Sequence, residues 1–319
     1  MTIFWLALLV ILSFLLIQVT AQLIIYLQRL NHDLQIGGFA LAGFLLALAT
    51  SLPELFVGIA SALEGTPAIS LGNVIGSNVA NLTLVAGLAA LVGGSLTIRN
   101  GRNKQDLLHT FVAGAAPLAL LLDKELTRVD AIILIALYGF YNFTLLTKRR
   151  RGYEENDEST VALIFRRLRP KRTKRALGMV FLAIAGIFIT SDLIVRLAQV
   201  VAGSLDVPVF LIGLFVVAVG TSLPELAFEY EAVRKRQGAM FLGNLMGSVV
   251  ANGTLIIGIT ALIHPIKIVA LSEYLVASIF FVGAFGVFYL MTRTKHRLER
   301  WEGGVLVALY LLFIVIELI

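Results

Sequence analysis

Cysteine is absent from the 319 residues, which removes disulfides, thiolate metal sites and a cysteine nucleophile at once. Charge is scarce too: Asp, Glu, Lys and Arg make up 14% of the chain against 58% hydrophobic residues. A soluble chain this apolar could not cover its own surface, so the proportions describe an integral membrane protein. The four histidines, His32, His109, His264 and His296, show no metal-ligand spacing. No Ser-His-Asp arrangement, phosphate-binding glycine loop or nucleic-acid module is visible, so the chain does not read as an enzyme and nucleic acid is not an expected partner. The first 28 residues hold no Lys or Arg, and their apolar run from Ile3 to about Leu27 is too long for a cleaved signal peptide. It reads as a first transmembrane helix.

A bilayer core of about 30 Å takes roughly 20 helical residues. Apolar runs of that order begin near Ile3, Ile36, Ile69, Leu107, Val129, Ala176, Val207, Ala239, Ile268 and Val305, which predicts about ten spans. Alternate connections gather 22 of the 26 basic residues, among them Arg29, Arg99, Arg102, Lys104, Arg234 to Arg236 and the Lys148–Arg175 stretch. The positive-inside rule makes those connections cytoplasmic and places both termini outside. The net charge of +6 needs no other explanation. Asp192 and Arg196, four residues apart, are expected to pair near the outer end of their span, with the arginine snorkelling.

Within this apolar chain one segment occurs twice. Thr50-Ser51-Leu52-Pro53-Glu54 returns as Thr221-Ser222-Leu223-Pro224-Glu225, and residues 47–91 align with 218–262 without a gap, identical at 21 of 45 positions. The shared residues are mostly polar or small, including Gly72, Asn73, Gly76, Ser77 and Asn81 with Gly243, Asn244, Gly247, Ser248 and Asn252. Five spans separate the copies, so the second crosses the membrane in the opposite direction. The predicted organisation is therefore two inverted five-helix halves, residues 1–147 and 176–319, joined by a basic cytoplasmic linker, 148–175. A duplication kept for folding alone would not concentrate its identities on polar positions.

The repeated residues suit an ion. Proline has no N–H and displaces the carbonyl four residues earlier, so Pro53 and Pro224 release carbonyls around Ala49, Thr50, Gly220 and Thr221. Such groups need partners in lipid unless they line a polar space. Beside each stand one carboxylate and two hydroxyls, and carboxylate, carbonyl and hydroxyl oxygens favour hard cations such as Na⁺ and Ca²⁺. Two ionised carboxylates supply the charge that one Ca²⁺ neutralises. Asn73, Ser77 and Asn81 share a helical face, as do Asn244, Ser248 and Asn252. Packing alone would also explain that polar stripe, with its hydroxyls bonded to their own backbone. An intramembrane carboxylate, however, is a functional residue by default.

With TSLPE followed by GN-x-x-GS in both copies, the chain resembles the calcium/cation antiporter superfamily, specifically its sodium/calcium exchanger branch. The resemblance implies that Glu54 and Glu225 are the principal Ca²⁺ ligands and also meet Na⁺, with the Thr50 and Thr221 carbonyls completing the divalent site. It assigns the Ala47 and Ala218 carbonyls and the Ser51, Ser77, Ser222 and Ser248 hydroxyls to flanking Na⁺ sites, and puts Asn81 and Asn252 at the centre. It further implies that the first and sixth helices slide across the rest to expose the site alternately. No cofactor is implied beyond the transported ions Ca²⁺ and Na⁺, and no protein partner is evident besides the lipid bilayer. A multi-pass plasma-membrane protein is the expected setting.

Three departures stand out. Asn252 occupies a position where several exchangers carry an aspartate, which leaves stoichiometry open. Glu229 and Glu231 have Gly58 and Ala60 as their counterparts. Glu229, one turn from Glu225, suits an inner cation station or a like-charge neighbour that perturbs Glu225, and equally a helix end wetting into the cytoplasm. Glu231 can pair with Arg234 or Lys235. Val249 and Gly253 replace Asn78 and Leu82, a change expected to loosen packing. The leading function is Na⁺/Ca²⁺ exchange. The alternatives are H⁺-coupled exchange of Ca²⁺ or another divalent ion, against which Gly76-Ser77 and Gly247-Ser248 stand where the proton-coupled branch usually has a glutamate, and a passive channel or an ion-binding pseudo-transporter.

Overall fold

The computed structural model describes residues 2–34, 50–94, 96–97, 104–150, 171–295 and 297–318. The predicted second span from Ile36, the Ala47 carbonyl and most of the linker lie outside the described residues. What is described is almost wholly helical. The order is α1 (Thr2–Leu34), α2 (Leu52–Leu63), α3 (Ala68–Gly93), α4 (Lys104–Leu120), α5 (Arg128–Arg150), α6 (Lys171–Leu205), α7 (Val209–Arg234), α8 (Met240–Ile263), α9 (Leu271–Lys295) and α10 (Arg300–Leu318). Among the described residues six helical stretches, within α1, α3, α6, α7, α8 and α9, are long and apolar enough to cross a membrane.

Burial is inverted relative to a soluble protein. Phe4, Phe14, Phe140, Phe181 and Ile279 are exposed, whereas Thr50, Glu54, Asn73, Asn81, Glu229 and Ser248 have no accessible surface. Apolar side chains facing outward need lipid around them, and polar side chains facing inward need one another.

Two apolar clusters divide the interior. One joins α1 and α6 to parts of α2 and α7 through Leu9, Leu16, Leu23, Ile187, Val195 and Val201. The other, larger cluster runs through α3, α8, α9 and α10, with Phe241, Phe281, Phe288 and Phe313 at its centre. Glycine permits the closest approaches. A Cβ on Gly72 or Gly76 of α3 would collide with the backbone carbonyls of Phe210 and Leu214 in α7, and one on Gly213 with that of Ile69. The α3 and α7 backbones therefore touch directly, as small-xxx-small pairs allow.

Two short antiparallel straps are present among the described residues. β1 (Leu96–Thr97) pairs with β4 (Arg297–Leu298), and β2 (Glu125–Leu126) pairs with β3 (Ile266–Lys267). Each strap joins a connection before residue 128 to one after residue 263, and shifting numbers by about 171 residues turns one strap into the other.

Two of the departures from regular α-helix sit at matching positions of the repeats. α3 passes through a π turn at Asn81–Val85 and α8 through one at Ala251–Ile256, and α7 has a third at Ile212–Val217. A π turn adds a residue to the helical circuit and is frequent at functional sites. In both copies a threonine serves the loosened backbone: Thr83 Oγ1 donates to the Val79 carbonyl and Thr254 Oγ1 to that of Val250. α7 itself stays continuous through Pro224, whereas Pro53 opens α2 in its first turn, where a missing N–H has no intrahelical partner to lose.

The expected loosening around Val249 and Gly253 is not found. Val249 is fully buried against Gly114 of α4, and a Cβ on Gly253 would strike the Gly114 carbonyl. The missing side chain at Gly253 is what admits α4 to the π turn of α8, so the substitution tightens this contact.

Candidate cation site

The start of α2, the middle of α7 and the polar stripes of α3 and α8 meet inside the bundle. Each repeat completes the other. Thr50 Oγ1 donates to Asn244 Oδ1 at 3.2 Å, and Thr221 Oγ1 donates to Asn73 Oδ1 at 3.0 Å. The carboxylates follow the same crossing: Glu54 lies beside Thr221, and Glu225 beside Thr50. Glu225 is also within electrostatic reach of Glu54.

Both carboxylates are buried, Glu54 completely and Glu225 to within 2%. All four of their oxygens lack a hydrogen-bond partner among the described residues. The ion pairs seen there lie elsewhere: Arg196 with Glu64 and Asp192, Lys235 with Glu231, and Lys267 with Glu125. Removing one ion from water costs several kcal/mol even after relaxation, so two adjacent unpaired carboxylates require a positive charge or protons between them.

The serines divide unevenly. Ser51 Oγ donates to Ser248 Oγ at 3.4 Å. The equivalent bond from Ser222 is missing; Ser222 Oγ is buried without a partner among the described residues, and Ser77 instead lies 3.4 Å from Thr221 Oγ1 and 3.5 Å from the Ala218 carbonyl. That carbonyl also receives Thr221 Oγ1 at 3.3 Å. The asparagines differ as well. Asn252 Nδ2 donates to Asn78 Oδ1 at 3.0 Å and leaves its own Oδ1 free, whereas both polar atoms of Asn81 are unpartnered among the described residues. Thr50, Thr221, Glu54, Glu225, Ser51, Ser77, Ser222, Ser248, Asn81, Asn252 and Ala218 are thus all buried within interlocking segments.

Glu229 is wholly buried and stands one turn beyond Glu225; its Oε1 accepts from Asn244 Nδ2 at 3.1 Å. Among the described residues no three His, Asp or Glu side chains come together as a metal-binding group, so Glu229 is not a third carboxylate on the Glu54–Glu225 pair. Glu231 pairs with Lys235 at 3.0 Å on the surface. Asp192 and Arg196 pair at 2.9 Å as expected, and Arg196 also reaches Glu64 of the α2–α3 connection at 2.6 Å.

Three participants carried no warning in the sequence stripes. Asn78 has Val249 as its counterpart, and its partnership with Asn252 follows only from the way α3 and α8 face each other. Ser70 and Thr260 form a buried hydroxyl pair at 3.0 Å, although their counterparts are Phe241 and Ala89. Departure from the repeat at otherwise apolar positions was the available signal.

Hydroxyls, amides, carbonyls and two unpaired carboxylates, the oxygen types that hard cations favour, are thus enclosed by apolar helices of a membrane protein. The family model for sodium/calcium exchanger proteins matches residues 4–147 and 175–319, and the chain belongs to that family. It is 27% identical over 290 residues to the uncharacterized membrane protein MJ0091 of Methanocaldococcus jannaschii, covering 90% of this chain and 89% of that protein. It is also 27% identical over 320 residues to the sodium/calcium exchanger MaX1 of Methanosarcina acetivorans, covering 91% of each. Among solved structures, the sodium-calcium exchanger NCX_Mj soaked with Na⁺ and Sr²⁺ has the same fold, with a TM-score of 0.65, 24% identity and 99% of each chain covered. The chain is a multi-pass integral membrane protein.

Proposed function

We propose that this chain is a secondary active antiporter that exchanges Na⁺ for Ca²⁺ by alternating access at the Glu54–Glu225 site. The observation that carries the reading is the enclosure of four carboxylate oxygens with no protein partner among the described residues. One Ca²⁺ neutralises both carboxylates, and so do two monovalent ions; that equivalence lets the cations replace one another without leaving the site charged. Glu54 and Glu225 would hold Ca²⁺ with the Thr50 and Thr221 carbonyls. The Ala47 and Ala218 carbonyls with the Ser51, Ser77, Ser222 and Ser248 hydroxyls would hold Na⁺, and Asn81 and Asn252 would line the centre. The similarity to the sodium/calcium exchanger MaX1 supports sodium as the counter-ion.

The membrane arrangement belongs to the same proposal: ten spans in two inverted halves, 1–147 and 176–319, in the plasma membrane with the 148–175 linker in the cytoplasm and both termini outside. The two straps interchanged by the repeat offset support the inversion. The apolar cluster in which α1 packs along α6, and which takes in only parts of the neighbouring helices, supports their movement as a pair.

Purified protein in vesicles loaded with Na⁺ and diluted into choline buffer should take up radioactive Ca²⁺, and vesicles loaded with choline should not. Uptake driven by internal acid without sodium would favour proton coupling instead. The buried Glu229, with one oxygen unpartnered among the described residues, is the observation that favours that second reading. No uptake in either condition would sink both.

A further inference from the structure

Glu229 breaks the repeat at the most expensive place to do so. Its counterpart is Gly58, where a Cβ would come within 2.6 Å of Thr260 Oγ1 and 3.1 Å of Ser70 Oγ. Beside Gly58 the spot is thus closed by a neutral hydroxyl pair, Ser70 of the first repeat with Thr260 of the second, whereas the position equivalent to Gly58 carries a fully buried carboxylate.

Two roles for that carboxylate can be separated. One is to hold Asn244, whose Nδ2 donates to Glu229 Oε1 while its Oδ1 receives Thr50. The other repeat argues against this as the explanation. Thr221 meets Asn73 Oδ1 at 3.0 Å although Asn73 Nδ2 has no partner among the described residues. The crossed threonine–asparagine bond therefore forms without a carboxylate behind the amide. What remains is charge. Glu229 Oε2 is buried and unpartnered among the described residues, as are both oxygens of Glu225 one turn away and within electrostatic reach. No basic side chain meets either residue there. Carboxylates so placed are met either by protons or by a mobile cation that touches both.

We propose that Glu229 forms an additional cation station with Glu225, occupied by a hard cation (Ca²⁺ or Na⁺) between the main site and the end of α7 that bears Arg234, Lys235 and Arg236. Its position on the cytoplasmic side rests on the exchanger reading above; the binding itself does not. The station makes the two mouths of a nearly symmetric site unequal, with cations held more strongly on the inner approach.

The test is calorimetric titration of the purified full chain in detergent with Ca²⁺ and, separately, Na⁺. Glu229→Gln keeps the shape and the acceptor for Asn244 but removes the charge, and should weaken Ca²⁺ binding about tenfold or delete one binding step. Glu231→Gln removes an exposed charge two residues away and should bind as wild type. Superimposable isotherms for Glu229→Gln and wild type overturn the station, as does an equal loss in Glu231→Gln, which would mean general surface charge. Normal binding by Glu229→Gln beside weak binding by Glu229→Ala would assign the residue to holding Asn244 and overturn it too. In oriented vesicles the Glu229→Gln defect should appear for cytoplasmic Ca²⁺ alone; an equal defect on both faces overturns the placement. Wild-type vesicles without flux would count against exchange, while the isotherms would still decide the station.

Discussion

Thr221 of one repeat donates its hydroxyl to Asn73 of the other at 3.0 Å, and the inverse pair, Thr50 with Asn244, closes at 3.2 Å. Neither repeat finishes its own binding segment. Each threonine, whose carbonyl is a proposed ligand, is held by the opposite half. A double-mutant cycle of Thr221→Val and Asn73→Ala should therefore be non-additive. The coupling expected from a buried neutral hydrogen bond is about 0.5–1.5 kcal/mol. It should be read in the Ca²⁺ concentration for half-maximal exchange, and strict additivity would mean the bond does not act on the site.

Glu54→Gln and Glu225→Gln each remove one of the two charges proposed to balance Ca²⁺ while conserving shape. Both should abolish Ca²⁺ uptake. Glu225→Gln should also abolish the thermal stabilisation expected from Ca²⁺, about 2.7 kcal/mol when the ion stands at a hundred times its dissociation constant, and Glu54→Gln should cut it to what the Glu225–Glu229 station retains. Melting of detergent-solubilised protein with and without Ca²⁺ measures this directly. A full Ca²⁺-dependent shift in either variant would remove that carboxylate from the ligand set.

Much of this site could be read from residue order. Intramembrane carboxylates beside prolines, repeated with their asparagines and serines, mark the segments that meet in space, because lipid-facing helices retain such residues only at a cost. Pairing at four residues' separation gave Asp192 with Arg196, but not Glu64, whose approach needs the α2–α3 connection to fold over α6. The π turns at Asn81–Val85 and Ala251–Ile256 were not legible either. Spacing alone predicts a regular helix, because nothing local in Asn81-Leu82-Thr83 or Asn252-Gly253-Thr254 fixes a π turn; the threonine bonds to Val79 and Val250 identify it only in the structure. Gly253 was misread for a related reason. Its small size looked like lost packing because the α4 backbone that occupies the space lies more than a hundred residues earlier in the chain.

Glycines divide by what stands opposite them, and stability should divide the same way. Gly76→Ala drives a methyl group into the Leu214 carbonyl, and Gly253→Ala into that of Gly114. Overpacking of this kind costs about 1–3 kcal/mol, more where backbone must move. Gly283 and Gly286 of α9 face open space, so alanine there should be neutral or stabilising by up to about 1 kcal/mol through helix propensity. Thermal unfolding in detergent should separate the two pairs. Equal effects across all four would show that the α3–α7 and α4–α8 contacts are not close enough to matter.

Ser13 of α1 meets Gly220 of α7 at the other close approach that bears on transport. A Cβ on Gly220 would lie 2.6 Å from Ser13 Oγ and 2.8 Å from Ser13 Cβ, one residue before Thr221. The proposed movement carries α1, with α6, across this surface. Gly220 is thus both a clearance for the sliding helix and the neighbour of a site residue. Gly220→Ala forces a small displacement, and Gly220→Val adds two methyl groups that cannot all be accommodated against Ser13. Exchange should fall progressively from wild type through alanine to valine. Equilibrium Ca²⁺ binding should fall less, because the carboxylates and the threonine–asparagine crossings remain in place. A second substitution, Ser13→Gly, removes the opposing side chain and should restore part of the flux to Gly220→Ala. Flux and binding lost in equal proportion, without rescue, would locate the defect in the site itself and count against α1 as the moving element.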